Sequence, residues 1–309
     1  GFDFGDDLNE EGTLAYRLVG LARDADAEWD FSRDDETYLA ASIAWRPTAM
    51  TSLVFALDNL NRDGVPGGGG HPQGTDYDSG RYFGEPSFNY RGVDRTTASL
   101  MFDHEFDNGL QLGVSARYTD SASDFGYIYL DDRATPGGPD IDRALFANDS
   151  SGEDLVLNAN LQYDATFGTV KSRTLVGVEY SDSTDFSTSW WGPVNPYNEA
   201  TFTYGAGTYS LDGLAPYRAQ RTDQSTKSLY LQEELTFDDR LIANLGLRYD
   251  KGKTTQTNMQ TGAVSRGEYS ETTVRAGLVY KITPDLSVYG SYSESVVPAG
   301  LTVEPERGD

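Results

Sequence analysis

The 309-residue sequence contains no cysteine. Disulfides, iron–sulfur clusters, thiolate zinc sites and cysteine nucleophiles are therefore excluded. Histidine is nearly absent too. His71 and His104 form no His-x-x-x-His pair and no facial triad, so a protein-held transition metal is not expected. No run of 18 apolar residues occurs and mean hydropathy is −0.53, so no transmembrane helix is predicted. Positive charge is scarce: 24 Lys and Arg stand against 49 Asp and Glu, a net charge of −25. That balance excludes the basic footprint that nucleic acid needs, and a basic patch for anionic lipid. The Gly-rich run at 67–70 follows no strand-to-helix pattern, which removes a phosphate loop.

What is present is period-2 alternation. In 241–249, Leu241, Ala243, Leu245, Leu247 and Tyr249 share one face of an extended chain. Asn244, Gly246 and Arg248 take the other. Leu110, Leu112, Val114, Ala116 and Tyr118 repeat the pattern, as do Leu155 to Tyr163 and Val274 to Ile282. The spacing predicts strands over 13–24, 37–46, 50–60, 94–106, 110–130, 153–166, 169–185, 224–237, 241–252, 269–282 and 286–296, and no helix.

The connections carry the sharper signal. Short ones at 47–49, 107–109, 167–168, 238–240 and 283–285 alternate with long ones at 25–36, 61–93, 131–152, 186–223 and 253–268. Tight turns on one side and long loops on the other are the habit of an outer-membrane barrel. Trp45, Phe106, Tyr163, Phe167, Phe237 and Tyr280 lie beside the short turns, and Tyr118, Tyr180, Tyr249 and Tyr292 toward the long loops. Two aromatic girdles would result. The fold class expected is all-β, an antiparallel transmembrane β-barrel with apolar faces on lipid and polar faces on a lumen. Eleven strands do not close a bacterial barrel, which takes an even number. A larger protein or assembly is therefore expected.

The stretches at 9–26, 38–55, 83–95, 228–250 and 276–300 resemble TonB-dependent siderophore receptors. "EPERG" (304–308) resembles the Pro-Glu-x-Gly segment of that family. The resemblance spans almost the whole chain. It implies about half of a 22-stranded plugged barrel, with 1–309 as a partial barrel lacking the plug domain and C-terminal strands. It further implies a Gram-negative outer-membrane location, import of a ferric siderophore, coupling to the TonB complex through the plug, contact with outer-membrane lipid, no nucleic acid and no enzymatic activity. Iron would arrive already chelated, with no resident cofactor. Cobalamin, haem or oligosaccharide import and a passive porin are the competing functions. A barrel enzyme would need a histidine beside Asp or Ser, and His71 and His104 have no such partner.

In the family, ligand is caught by loops, inner wall and plug apex. The aromatic- and cation-rich loop stretches here give the candidate ligand contacts Arg81, Tyr82, Phe83, Tyr90, Trp190, Trp191, Tyr197 and Tyr204. The Trp190–Trp191 pair is the preferred contact. Arg117, Arg248, Arg275 and Lys281 fall on the polar parity and are expected to pair with carboxylates such as Asp250 or Glu179. The acid pairs Asp34/Asp35, Asp131/Asp132 and Asp238/Asp239 are read as solvated turn charges rather than calcium sites.

Overall fold

A computed structural model describes residues 1–67, 70–131, 138–198, 200–205, 207, 209–296 and 304–305. Twelve strands follow one another as a single antiparallel meander. They are β1 (Phe2–Asp7), β2 (Leu14–Arg23), β3 (Arg33–Thr48), β4 (Thr51–Val65), β5 (Tyr90–Glu105), β6 (Leu110–Leu130), β7 (Asp140–Phe167), β8 (Val170–Asn198), β9 (Arg218–Phe237), β10 (Leu241–Asn258), β11 (Val264–Thr283) and β12 (Leu286–Ser293). A short β13 (Glu304–Pro305) pairs with Ser265 and Arg266 of β11. The sheet is unclosed and fits half of a barrel.

The predicted alternation appears as observed exposure. Leu245, Leu247 and Tyr249 are exposed on one face, as are Leu229 and Leu231 beside them. In water such a surface would be costly, at about 25 cal/mol per Å². Against lipid it costs nothing, while every interior strand satisfies its backbone on both sides. Trp45, Phe106, Tyr163, Phe167 and Tyr280 stand exposed by the tight turns, and Tyr118, Tyr249 and Tyr292 at the opposite level. On the polar face Arg248 bonds Glu179 and Asp250 at 2.7 and 2.8 Å, the expected pairing.

Three sequence expectations need correction. The strand count is twelve along the path, not eleven. β1 is a short, acidic segment whose Phe2 and Phe4 alternate for only two cycles, too few to register as a period. The stretch 253–268 is not a long loop: β10 and β11 run on to a five-residue turn at 259–263. The predicted loop at 131–152 is strand from Asp140 onward and the one at 186–223 is half strand, since β7 and β8 reach 28 and 29 residues. Only ~9–11 residues of a tilted strand are needed to cross a bilayer. More than half of each of these strands therefore stands beyond the outer girdle, where Ser, Asp, Gly and Asn mask the β pattern. Asp132 lies outside the described residues.

Candidate ligand site at the outer rim

Beyond the outer girdle, β6, β7 and β8 form a raised sheet whose two faces have different jobs. Register between β6 and β7 is unbroken from Leu110↔Tyr163 to Leu130↔Arg143. Face identity is therefore carried upward from the membrane without a slip.

The face that continues the lipid parity is covered by a cap. The connection after β4 (66–89) and the one after β8 (199–217) fold onto it. Phe88, Ile128, Leu145 and Ala147 form one buried cluster, with Tyr90 and Trp190 packed against it. Phe83, Leu130, Ile141 and Tyr197 form a second, with Tyr77 and Phe202. Arg143 fastens the pieces. The residue is 1% exposed. It donates to the Phe83 and Gly84 carbonyls, to the Asn195 carbonyl and Oδ1, and to the Tyr209 hydroxyl, all at 3.0–3.2 Å. The same group lies 4.5 Å above the Phe202 ring. Burial pushes the Arg143 guanidinium down from its ordinary value, opposed by Tyr209 and Glu85. Burial also pushes the Tyr82 hydroxyl well up.

The face that continues the lumen parity is aromatic and partly exposed. Its rows follow from the register. Tyr127, Phe146 and Trp191 lie side by side across β6, β7 and β8, followed by Phe125, Asn148 and Ser189 one step toward the membrane. Tyr127 and Tyr129 stack at 4.5 Å, and Phe125 lies 5.0 Å from Tyr127 and 6.2 Å from Phe146. Trp191 Nε1 donates to the Tyr129 hydroxyl at 3.2 Å. Trp191 remains 46% exposed. Below the rings, Asn148 donates to the Ser187 and Ser189 hydroxyls, and Ser123 meets Ser150 at 2.8 Å. Five rings held by mutual stacking, tilted and edge contacts and one hydrogen bond offer a large, amphipathic surface.

The sequence-predicted contacts divide between these faces. Tyr82, Phe83 and Tyr197 are 0–2% exposed inside the cap, so they build it rather than line an opening. Tyr204 is half-buried and donates to the Tyr82 carbonyl. Arg81, partly buried, has an interaction of its own. Tyr90 and Trp190 pack on the cap side. Trp191 alone of the eight sits on the lumen-parity wall. The expected Trp190–Trp191 pair is thus split, because neighbouring strand residues point to opposite faces. His71, in the connection after β4, packs its ring 5.5 Å from that of Phe83.

Phe125, Tyr127, Tyr129 and Phe146 were missed. The signal was in "DFGYIYL" (124–130), where aromatics alternate with Gly126, Ile128 and Leu130. Carrying the parity of Gln111 to Arg117 upward by period 2 finds Phe125, Tyr127 and Tyr129, while Phe146 on β7 needs the register with Tyr127.

Beside the wall, Asp34 of β3 accepts from Arg62 and Arg91 at 2.7 and 2.6 Å and from Arg23 at 3.0 Å. It is an ion-pair hub joining four strands, not a cation site. The Arg62 hydrogen bond, with the charges of Arg91 and Arg23, holds its carboxyl below the ordinary range. Among the described residues, no group of three His, Cys, Asp or Glu side chains converges to hold a metal.

Comparison with known proteins agrees with this architecture. Residues 13–303 match the family model described as TonB dependent receptor-like, beta-barrel. A ferrioxamine receptor of Yersinia enterocolitica is 30% identical over 96% of this chain and 43% of its own length. The ferrichrome outer membrane transporter/phage receptor of Escherichia coli K12 is 26% identical over 97% and 44%. The solved siderophore receptor PiuA from Acinetobacter baumannii superposes with a TM-score of 0.79, at 19% identity, over 94% of this chain and 46% of that one. This chain spans less than half the length of these relatives. With its lipid-facing belt, tight turns on one side and raised strands on the other, it belongs to the TonB-dependent receptor β-barrel family of the Gram-negative outer membrane.

Proposed function

We propose that this chain supplies barrel wall to a TonB-dependent importer of a ferric siderophore, and that the aromatic wall of Phe125, Tyr127, Tyr129, Phe146 and Trp191 contacts the chelate. The observation that carries the reading is the position of those rings. They lie on the lumen-parity face, beyond the outer girdle, where a guest descending toward the lumen meets them first. The names of the relatives, ferrioxamine and ferrichrome receptors, support the cargo class. A chelate presents flat ligand groups and apolar spacers, which rings contact at low entropic cost.

Iron then arrives already coordinated, and the chain acts as a binding and guiding surface rather than as an enzyme. The plug and TonB complex belong to the whole protein in this reading. The rigid meander acts as a wall, while the cap on its outer side holds the ring-bearing strands upright. A strain that depends on the full-length protein for iron tests the proposal. Growth on a ferric hydroxamate as the sole iron source is expected, with loss in a Trp191→Ala, Tyr127→Ala double variant. Unchanged growth would refute the role of this wall. A passive porin differs in readout: the reconstituted full-length protein would conduct freely, whereas a plugged receptor stays nearly silent.

A further inference from the structure

One carboxylate of the membrane belt faces lipid rather than water or lumen. On β9, Leu229, Leu231, Glu233, Leu235 and Phe237 share the lipid parity. Glu233 stands four residues above Phe237, at the tight-turn end of the strand. That is about 14 Å along the strand and roughly 10 Å in depth at a tilt of ~40°. Among the described residues of β2 to β11, Glu233 is the one acidic side chain of that parity between the two girdles. An ionisable group on a lipid face is costly and marks a place that has a partner.

The neighbouring strand is fitted to it. Thr174 of β8 faces Glu233 directly, and Ser172 lies on the diagonal, nearer the turn. The Ser172 hydroxyl donates to Glu233 Oε1 and the Thr174 hydroxyl to Oε2, each at 2.6 Å. A carboxylate has about four acceptor sites, so two hydroxyls leave about half of its capacity to a donor from outside the chain. The cations of β8 at this level do not supply one. Lys171 and Arg173 have the opposite parity and pair with Asp239, Asp164 and Glu234.

The polarity of this notch has a direction. Toward the tight turns it continues through Ser172, with the small Ala165 beside it. Toward the outer side it ends at Leu161, Val176 and Leu231, which lie side by side. A guest here has its polar end toward the turns and its apolar part toward the bilayer centre. A phospholipid of the leaflet facing the turns is oriented in that way. A charged side chain on another membrane span sits at a fixed depth and needs no such gradient. Charge then selects the headgroup: open acceptor sites on a carboxylate call for a cationic donor, and a primary ammonium brings three N–H groups. We infer that Glu233, Ser172 and Thr174 bind a phospholipid with a primary ammonium headgroup, whose acyl chains rise along Val176 and Leu231. Local thinning of the bilayer brings the headgroup to that depth.

The test uses the full-length receptor in vesicles of equal parts phosphatidylethanolamine and phosphatidylcholine with the same acyl chains. The two headgroups carry equal charge, and only the first donates N–H bonds. Lipid that stays bound through mild detergent extraction is identified by native mass spectrometry. Wild type is expected to retain phosphatidylethanolamine about fivefold over phosphatidylcholine. Glu233→Leu continues the apolar stripe of β9, so the barrel keeps its fold, and the ratio is expected to fall to about one. Equal retention of the two lipids by wild type overturns the inference, and that comparison needs no variant. A preference that survives Glu233→Leu overturns it too. So does a detergent-stable dimer that Glu233→Leu abolishes, which would seat a second copy on the notch.

Discussion

Removing Arg143 should open the cap and leave the barrel wall standing. Its side chain reaches three separate segments: the 66–89 connection through Phe83 and Gly84, the end of β8 through Asn195, and the 199–217 connection through Tyr209. A hydrogen bond from a charged donor is worth about 1.5–3 kcal/mol. Five of them do not add, because burying a guanidinium itself costs several kcal/mol. The useful figure is the truncation cost, which leaves buried carbonyls unpaired at about 1–3 kcal/mol each and comes to about 3–5 kcal/mol. That raises the population of the opened cap by roughly two to three and a half powers of ten. Arg143→Met keeps most of the packing volume and removes the bonds. Limited proteolysis and hydrogen exchange on the full-length protein should show faster cutting and exchange within 66–89 and 199–217, with the folded barrel still resisting heat in detergent. Wild-type protection of both segments would refute the reasoning. So would simultaneous loss of the barrel, since the wall would then depend on the cap.

Other consequences follow from the same geometry. Leu245→Arg, on the exposed apolar face, should cost about 2–4 kcal/mol in bilayer unfolding measurements, whereas Asn244→Arg on the lumen face should cost far less; equal costs would reverse the face assignment. Gly177→Ala would place a Cβ 2.1 Å from the Tyr230 ring, which bonds Asn158 at 3.0 Å, and should destabilise by about 1–3 kcal/mol in denaturant titrations. The Asp34 hub supports the rim above the ordinary carboxylate value of 3.8 and loses that support as pH falls through its lower folded value. Exchange at the tops of β2 to β5 should therefore rise in acid, and Asp34→Asn should show raised exchange at neutral pH without the acid step.

The membrane part of the molecule was legible in the sequence because lipid enforces one rule at every second residue. Leu110 to Tyr118 obeys it without exception and Leu241 to Tyr249 with only Ile242 on the wrong parity, and the aromatic ends mark the levels. Above the outer girdle the rule lapses. Past the buried Ala147, β7 from Asn148 to Asp154 is built of small polar and acidic residues, so "NDSSGED" reads as a loop although it is paired strand. The candidate site suffered for the same reason. Tyr82 and Phe83 look like ligand contacts because aromatics in a long loop suggest display. Phe83 is buried against Leu130, at the end of a predicted strand, and Ile141, within a predicted loop, while Tyr82 is covered by Phe31 and Tyr204, all far away in sequence. Trp191 was found by composition alone. Its neighbour Tyr127 lay on the extended parity of β6, and Phe146 needed the register.

The most direct test of the lumen-side aromatic wall is a pair of single substitutions in the full-length receptor, Trp190→Ala and Trp191→Ala, each titrated with a ferric hydroxamate. These neighbours have the same chemistry and opposite faces. The account predicts that Trp191→Ala weakens binding by about 5- to 30-fold, a loss of ~1–2 kcal/mol. Trp190→Ala should loosen the cap and leave affinity nearly unchanged. Loss of affinity at Trp190 with none at Trp191 would contradict it, and would place the guest on the cap side of the sheet.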